Sequence, residues 1–140
     1  MDTMNPALIA LAGFAGWTLL LVLIVANFRV FNFIAGAKIP INAFDPGGDD
    51  LPGFGRRVTR AHLNCIENLP ILAALVAVAG FSGQYGVMEG TVMYVLYARI
   101  AQSVTHMIST ATLMVWIRAT FFFVQIILMA IYAYKLFCGA

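Results

Sequence analysis

Charge is what this 140-residue sequence has least of: Asp, Glu, Lys and Arg together make up 10%, against 62% hydrophobic residues, and the mean hydropathy is +0.92. A soluble domain carries about 25% charged residues, so the composition excludes one and makes a bilayer the expected solvent. The eight basic residues are scattered, with no basic run to meet a phosphate backbone, so no nucleic-acid partner is expected. Cysteine is scarce too. Cys65 and Cys138 fall on different segments and at different expected membrane depths, which excludes a disulfide framework and leaves two small apolar packers. Zinc-ligand spacing, a nucleotide-binding glycine loop and a serine-nucleophile pattern are also missing, so no metal is expected.

The sequence has four long apolar stretches instead. Ala7 to Phe28 runs without a charge, long enough for the roughly 20 residues that cross a bilayer. MDTMNP brings no Lys or Arg before it, which points to a retained membrane helix rather than a cleaved signal. Asn5-Pro6 fits an N-cap followed by proline at the first helical position. The stretch NAFDPGGDDLPGFG, rich in proline and glycine, separates this helix from the next, and SGQYG separates the second from the third. The expectation is an all-α integral membrane protein: one domain over 1–140, an antiparallel four-helix transmembrane bundle with helices at about 6–30, 56–82, 87–112 and 116–138.

Orientation follows from the basic residues. Arg29, Lys38, Arg56, Arg57 and Arg60 gather between helices 1 and 2, and Arg118 lies at the turn between helices 3 and 4. The SGQYGVMEG connection has neither Lys nor Arg. Those two basic ends are expected in the cytoplasm, with both termini outside.

The second apolar stretch opens on RAHLNCIENLP, where polar side chains interrupt what lipid would favour. Arg60, Asn64 and Glu67 are spaced four and three apart and share one helical face. Glu67 lies about 15 Å past Arg57 along a helix, near mid-bilayer. Arg99, Gln102 and His106 form a second stripe, three and four apart, on helix 3. In an antiparallel hairpin centred near Gln84, Glu67 stands level with Arg99, Asn64 with Gln102 and Arg60 with His106. A lone ionised side chain at mid-membrane costs about 2.5–3.5 kcal/mol on insertion scales, so Glu67 and Arg99 are expected to pair. That pair alone serves equally as a strut between helices. A carboxylate with cations above it, in a row of polar side chains, suits a small zwitterionic ligand with excess negative charge. Ala12 and Gly16 are read as a small-xxx-small packing pair, and Trp17 and Trp116 as packing or interface anchors. Pro70 removes the N–H that would reach the Ile66 carbonyl.

R-A-H-x-N-x-x-E-N-x-P on helix 2, followed by Ala98-Arg99 and further polar residues on helix 3, resembles the MAPEG family, the membrane-associated proteins of eicosanoid and glutathione metabolism. The likeness extends over nearly the whole chain and is nearer to bacterial members than to the eukaryotic enzymes. It implies a homotrimer with glutathione bound between neighbouring protomers near the cytoplasmic side, and a location in a bacterial inner membrane. It also implies a transferase or peroxidase acting on lipophilic electrophiles that arrive through the bilayer. Arg60, Asn64 and Glu67 match the family's glutathione contacts, and Arg99 matches the partner of the helix 2 glutamate. His62 and Arg29 match contacts made by a neighbouring subunit. Arg118 corresponds to the arginine that activates the thiol, and Gln102 and His106 stand where several members carry tyrosine. Two rival functions fit an intramembrane glutamate less well. A proton-coupled transporter needs Glu67 to cycle its proton, which a fixed arginine opposes; a non-catalytic scaffold predicts no thiol-dependent ligand.

Overall fold

The structure, a computed structural model, describes residues 4–34, 53–109 and 111–139, and those residues form four α-helices and no strand. They are α1 (Pro6–Ile34), α2 (Phe54–Phe81), α3 (Val92–Ile108) and α4 (Thr112–Cys138). Lys38 and all but the end of the NAFDPGGDDLPGFG connection lie outside the described residues. By length and composition α1, α2 and α4 are each able to cross a membrane. α3, at 17 residues, is about 25 Å long and carries the polar stripe.

The helix ends have local causes. Asn5 caps α1: its Oδ1 accepts the Ala7 N–H at 2.9 Å, as the Asn5-Pro6 pair predicts. α2 starts after Gly53, whose φ of 54° favours glycine, and stops at Ser82–Gly83. There Gly83 takes a φ of 70°, the Gln84 N–H donates to the Ala79 carbonyl at 2.7 Å and the Gly83 N–H to the Gly80 carbonyl at 3.3 Å. This is a Schellman termination. Hydropathy places the start of helix 3 at 87 and that of helix 4 at 116; the helices begin at Val92 and Thr112. Tyr85–Val87 is a single 3-10 turn, followed by turn residues to Thr91, because the chain must reverse before α3 can begin. At the other end Ser109 leaves the helix in an extended conformation, and its Oγ accepts the Ala111 N–H at 3.0 Å.

α1 packs on α2 and α3, and α4 packs on α3 and, more lightly, on α2. Phe14, Leu21, Val58, Leu72, Val76, Met88, Val92 and Val95 are fully buried in one apolar core. α1 comes close to α3 at Gly13, where an added Cβ would stand 2.7 Å from Leu96 Cδ2. The small-residue pair expected at Ala12 and Gly16 faces outward: both residues are exposed, and nothing lies within 4 Å of a Cβ at Gly16. Trp17 packs against the core, whereas Trp116 is 69% exposed. Both cysteines are free, but only Cys65 is a buried packer; Cys138 is exposed at the end of α4.

The two halves of α4 differ. Gln125, Met129, Tyr132 and Leu136 are buried at helical spacing, and the Tyr132 and Thr91 hydroxyls share a 2.7 Å hydrogen bond. No residue from Thr112 to Val124 is buried. The first half of α4 is thus only partly covered, and a cavity lies where it faces α2 and α3.

Candidate functional site

That cavity, of about 310 Å³, is lined by Asn64 of α2, Gln102 of α3 and Val115, Arg118, Ala119 and Phe122 of α4. Spacings of three, one and three put the four α4 residues on one face, so about two turns of helix supply both a cation and an apolar wall.

The register of α2 against α3 is fixed by two hydrogen bonds. Arg57 Nε donates to the Met107 carbonyl at 2.8 Å, and Cys65 Sγ lies 3.5 Å from Ser103 Oγ. These bonds bracket the pairing expected from sequence, in which Asn64 stands level with Gln102 and Arg60 with His106. Three cations concentrate at this end of the bundle. Arg118, Arg60 and Arg57 all bear electrostatically on His106, and Arg60 bears on Arg118. His106 is buried, and its Nδ1 has no hydrogen-bond partner among the described residues. Arg60 is exposed on the outer face of α2.

Glu67 and Arg99 share a level but not an environment. Arg99 is 0% exposed, its guanidinium 5.3 Å from the centre of the Phe14 ring and close to Cys65. Its three nitrogens have no hydrogen-bond partner among the described residues. Glu67 is exposed, within electrostatic reach of Arg99 but not hydrogen-bonded to it. Spacing along two helices fixes height; the rotation of each helix turns Arg99 inward and Glu67 outward.

Arg29 and His62 occupy a different flank. Arg29 on α1 bears electrostatically on His62, which is half-buried. Around α2, His62 points about 200° away from Arg60, and Asn64 and Glu67 lie within about 40° of Arg60 on either side. One chain thus presents two polar sets on opposite flanks of α2: Arg29 with His62, and Arg60, Asn64 and Glu67 with Gln102, His106 and Arg118. Among the described residues no three His, Cys, Asp or Glu side chains come together as a metal site.

One polar residue of this region escaped the sequence reasoning. Gln125 sits in the apolar run FFFVQIIL, is 0% exposed, and donates from Nε2 to Gln102 Oε1 at 2.8 Å and to the Phe121 carbonyl at 3.0 Å. The available signal was the isolated amide itself, since a buried amide inside a membrane helix must find a partner.

The donors, cations and carboxylate gathered here suit a small anionic or zwitterionic ligand, and the apolar α4 wall suits a lipophilic one beside it. Comparison with curated proteins and with solved structures gave no match. The family model described as "MAPEG family" matches residues 7–138, which take in all four helices but for their extreme ends and every residue of both polar sets. A four-helix membrane bundle with this polar face, matched over nearly its full length, belongs to the MAPEG family.

Proposed function

We propose that the chain is a single-domain, glutathione-dependent membrane transferase or peroxidase, working as a homotrimer in a bacterial inner membrane with its site toward the cytoplasm. The observation that carries this reading is the cavity, where Arg118 faces Asn64 and Gln102 across about 310 Å³ beside an apolar wall. Glutathione brings two carboxylates, one ammonium and one thiol. Arg60 and His106 would hold carboxylate, Asn64 and Gln102 would hydrogen-bond the peptide backbone, and Glu67 would accept the ammonium. Arg29 and His62 would complete the site of a neighbouring copy. Their place on the opposite flank of α2 supports this, because a ring of copies brings one flank against the next. A charged outer face holding Arg56, Arg60 and Glu67 is costly against lipid, which favours cover by a second copy.

Arg118 cannot lose its charge, and a fixed cation beside a thiol favours the thiolate, the nucleophilic form. The thiolate attacks the electrophilic carbon of a lipophilic substrate lying along Val115, Ala119 and Phe122. A sulfur–carbon bond forms and the leaving group departs with the bonding pair. With a hydroperoxide the sulfur takes the distal hydroxyl, the O–O bond breaks and the alkoxide leaves with the bonding pair and takes up a proton to become the alcohol; a second glutathione then attacks the sulfenic sulfur and releases the disulfide and water. Basic residues at the two connections that flank the cavity end support the cytoplasmic orientation.

The test is calorimetry of the purified protein, in detergent or nanodiscs, with glutathione and with its S-methyl derivative. Saturable binding of glutathione, weakened by Arg60→Ala and Glu67→Gln, is expected. Absence of binding at millimolar glutathione refutes the assignment and leaves a scaffold as the better account.

A further inference from the structure

We propose that Gln125 is a positioning residue: by hydrogen-bonding Gln102 it dictates which end of the Gln102 amide faces the cavity, and so makes that wall of the cavity a donor of hydrogen bonds. The Phe121 carbonyl is an obligate acceptor, so the Gln125 atom 3.0 Å from it must be the amide nitrogen. The same nitrogen lies 2.8 Å from Gln102, and with one N–H spent on Phe121 its other N–H points there. The atom of Gln102 that receives it must be oxygen. A flipped Gln125 would set its oxygen against the Phe121 carbonyl, acceptor against acceptor, in a site sealed from water.

The protein accepts a cost for this arrangement. Gln125 Oε1 is sealed with no hydrogen-bond partner among the described residues, and a buried acceptor left unpaired costs stability. With the Gln102 oxygen committed to Gln125, the amide nitrogen of Gln102 is the end left over. It is not among the sealed unpartnered atoms, and Gln102 lines the cavity. Two N–H bonds of Gln102 and the guanidinium of Arg118 therefore converge on one space. Hydrogen-bond donors beside a fixed cation stabilise a developing or settled anion without reorganising. On the function proposed above, that anion is the sulfur of the thiolate. Gln125 touches neither substrate nor cavity and acts through Gln102 alone.

Two measurements test this. The chain has three glutamines, Gln84, Gln102 and Gln125, so protein labelled with nitrogen-15 at glutamine gives three side-chain amide signals, assigned with single Gln→Leu variants. Both amide protons of Gln125 should be protected from exchange and those of Gln102 should exchange through the cavity. The reverse pattern overturns the assigned orientation, whether or not glutathione binds. The second arm is kinetic. Gln125→Glu, buried beside the Phe121 carbonyl, keeps its proton and donates it there, so it offers only acceptors to Gln102 and turns the Gln102 oxygen toward the cavity. It should lower kcat for glutathione conjugation by at least about tenfold, with KM for glutathione changed less than about threefold and the thiolate absorbance of the bound complex lost. Gln125→Leu, which releases the Gln102 amide without adding an acceptor, should give a smaller loss that disappears in a Gln102→Leu background. An equal loss from Gln125→Leu with and without Gln102 overturns the proposal and makes Gln125 a packing residue. If the wild type binds no glutathione, the assigned function fails, and the exchange pattern still decides the role of Gln125.

Discussion

Arg118→Ala gives the sharpest test of the chemistry. A sulfur seated against the Arg118 guanidinium, in the open cavity that Arg118 lines, stands roughly 4 Å from that charge. At that distance a unit charge in an effective dielectric of about 20 is worth about 4 kcal/mol, an upper figure because the cavity is open on one side. A shift of about 1–3 units is the measured range for a close opposite charge, which takes a thiol from about 8.5 to between about 5.5 and 7.5. At neutral pH the bound thiol then passes from a few per cent thiolate to about a quarter or more. Replacing Arg118 by alanine should reverse this. Conjugation of chlorodinitrobenzene should slow by at least about tenfold, equivalent to about 1.4 kcal/mol of barrier. Affinity for glutathione should hold, because Arg60, Asn64 and Glu67 remain. The assay is the ultraviolet absorbance of the bound thiolate, followed with turnover against pH. With a raised thiol pKa, activity lost at pH 7 should return as pH rises toward 9. Arg118→Lys should keep part of the thiolate signal, since it keeps the charge and loses the planar fork. A thiolate band and turnover that survive Arg118→Ala unchanged would refute the role and leave Arg118 a topological anchor.

Three further outcomes are expected. In a cysteine-free background, Ala111→Cys should label from the cytoplasmic side and Gly86→Cys from the opposite side; reversed labelling removes the assigned orientation. Glu67→Gln takes away an exposed carboxylate that is within electrostatic reach of Arg99 but not bonded to it, and should lower thermal stability by no more than about 1 kcal/mol while weakening glutathione binding; a loss of several kcal/mol with normal binding would make Glu67 a strut. Gly13→Val should destabilise the protomer by about 1–3 kcal/mol through Leu96, measured by thermal unfolding, whereas Gly16→Val should leave α1 packed on α3, since nothing stands within 4 Å of its Cβ; equal losses at both positions would show that the α1–α3 approach is misassigned.

Four apolar stretches, the Asn5 cap and the motif on helix 2 determine by themselves that this is a four-helix membrane protein of the MAPEG family. The same one-dimensional information sets membrane depth, because rise per residue is constant: Asn64 stands near Gln102 and Arg60 near His106, as the Arg57–Met107 and Cys65–Ser103 contacts bear out. Depth is not direction. Which way a side chain points depends on how each helix is rotated and tilted by the neighbours it packs on, and those are non-local contacts that spacing does not encode. Only the tertiary structure sends Arg99 inward over Phe14 and Glu67 outward, two residues expected to meet face to face. It alone leaves the first half of α4 only partly covered and forms the cavity that brings Arg118 to Asn64 and Gln102. Gln125 belongs to this second class: in sequence it is one amide among aliphatic neighbours, and its hydrogen bond to Gln102 exists because α4 leans back onto α3 one turn below the cavity.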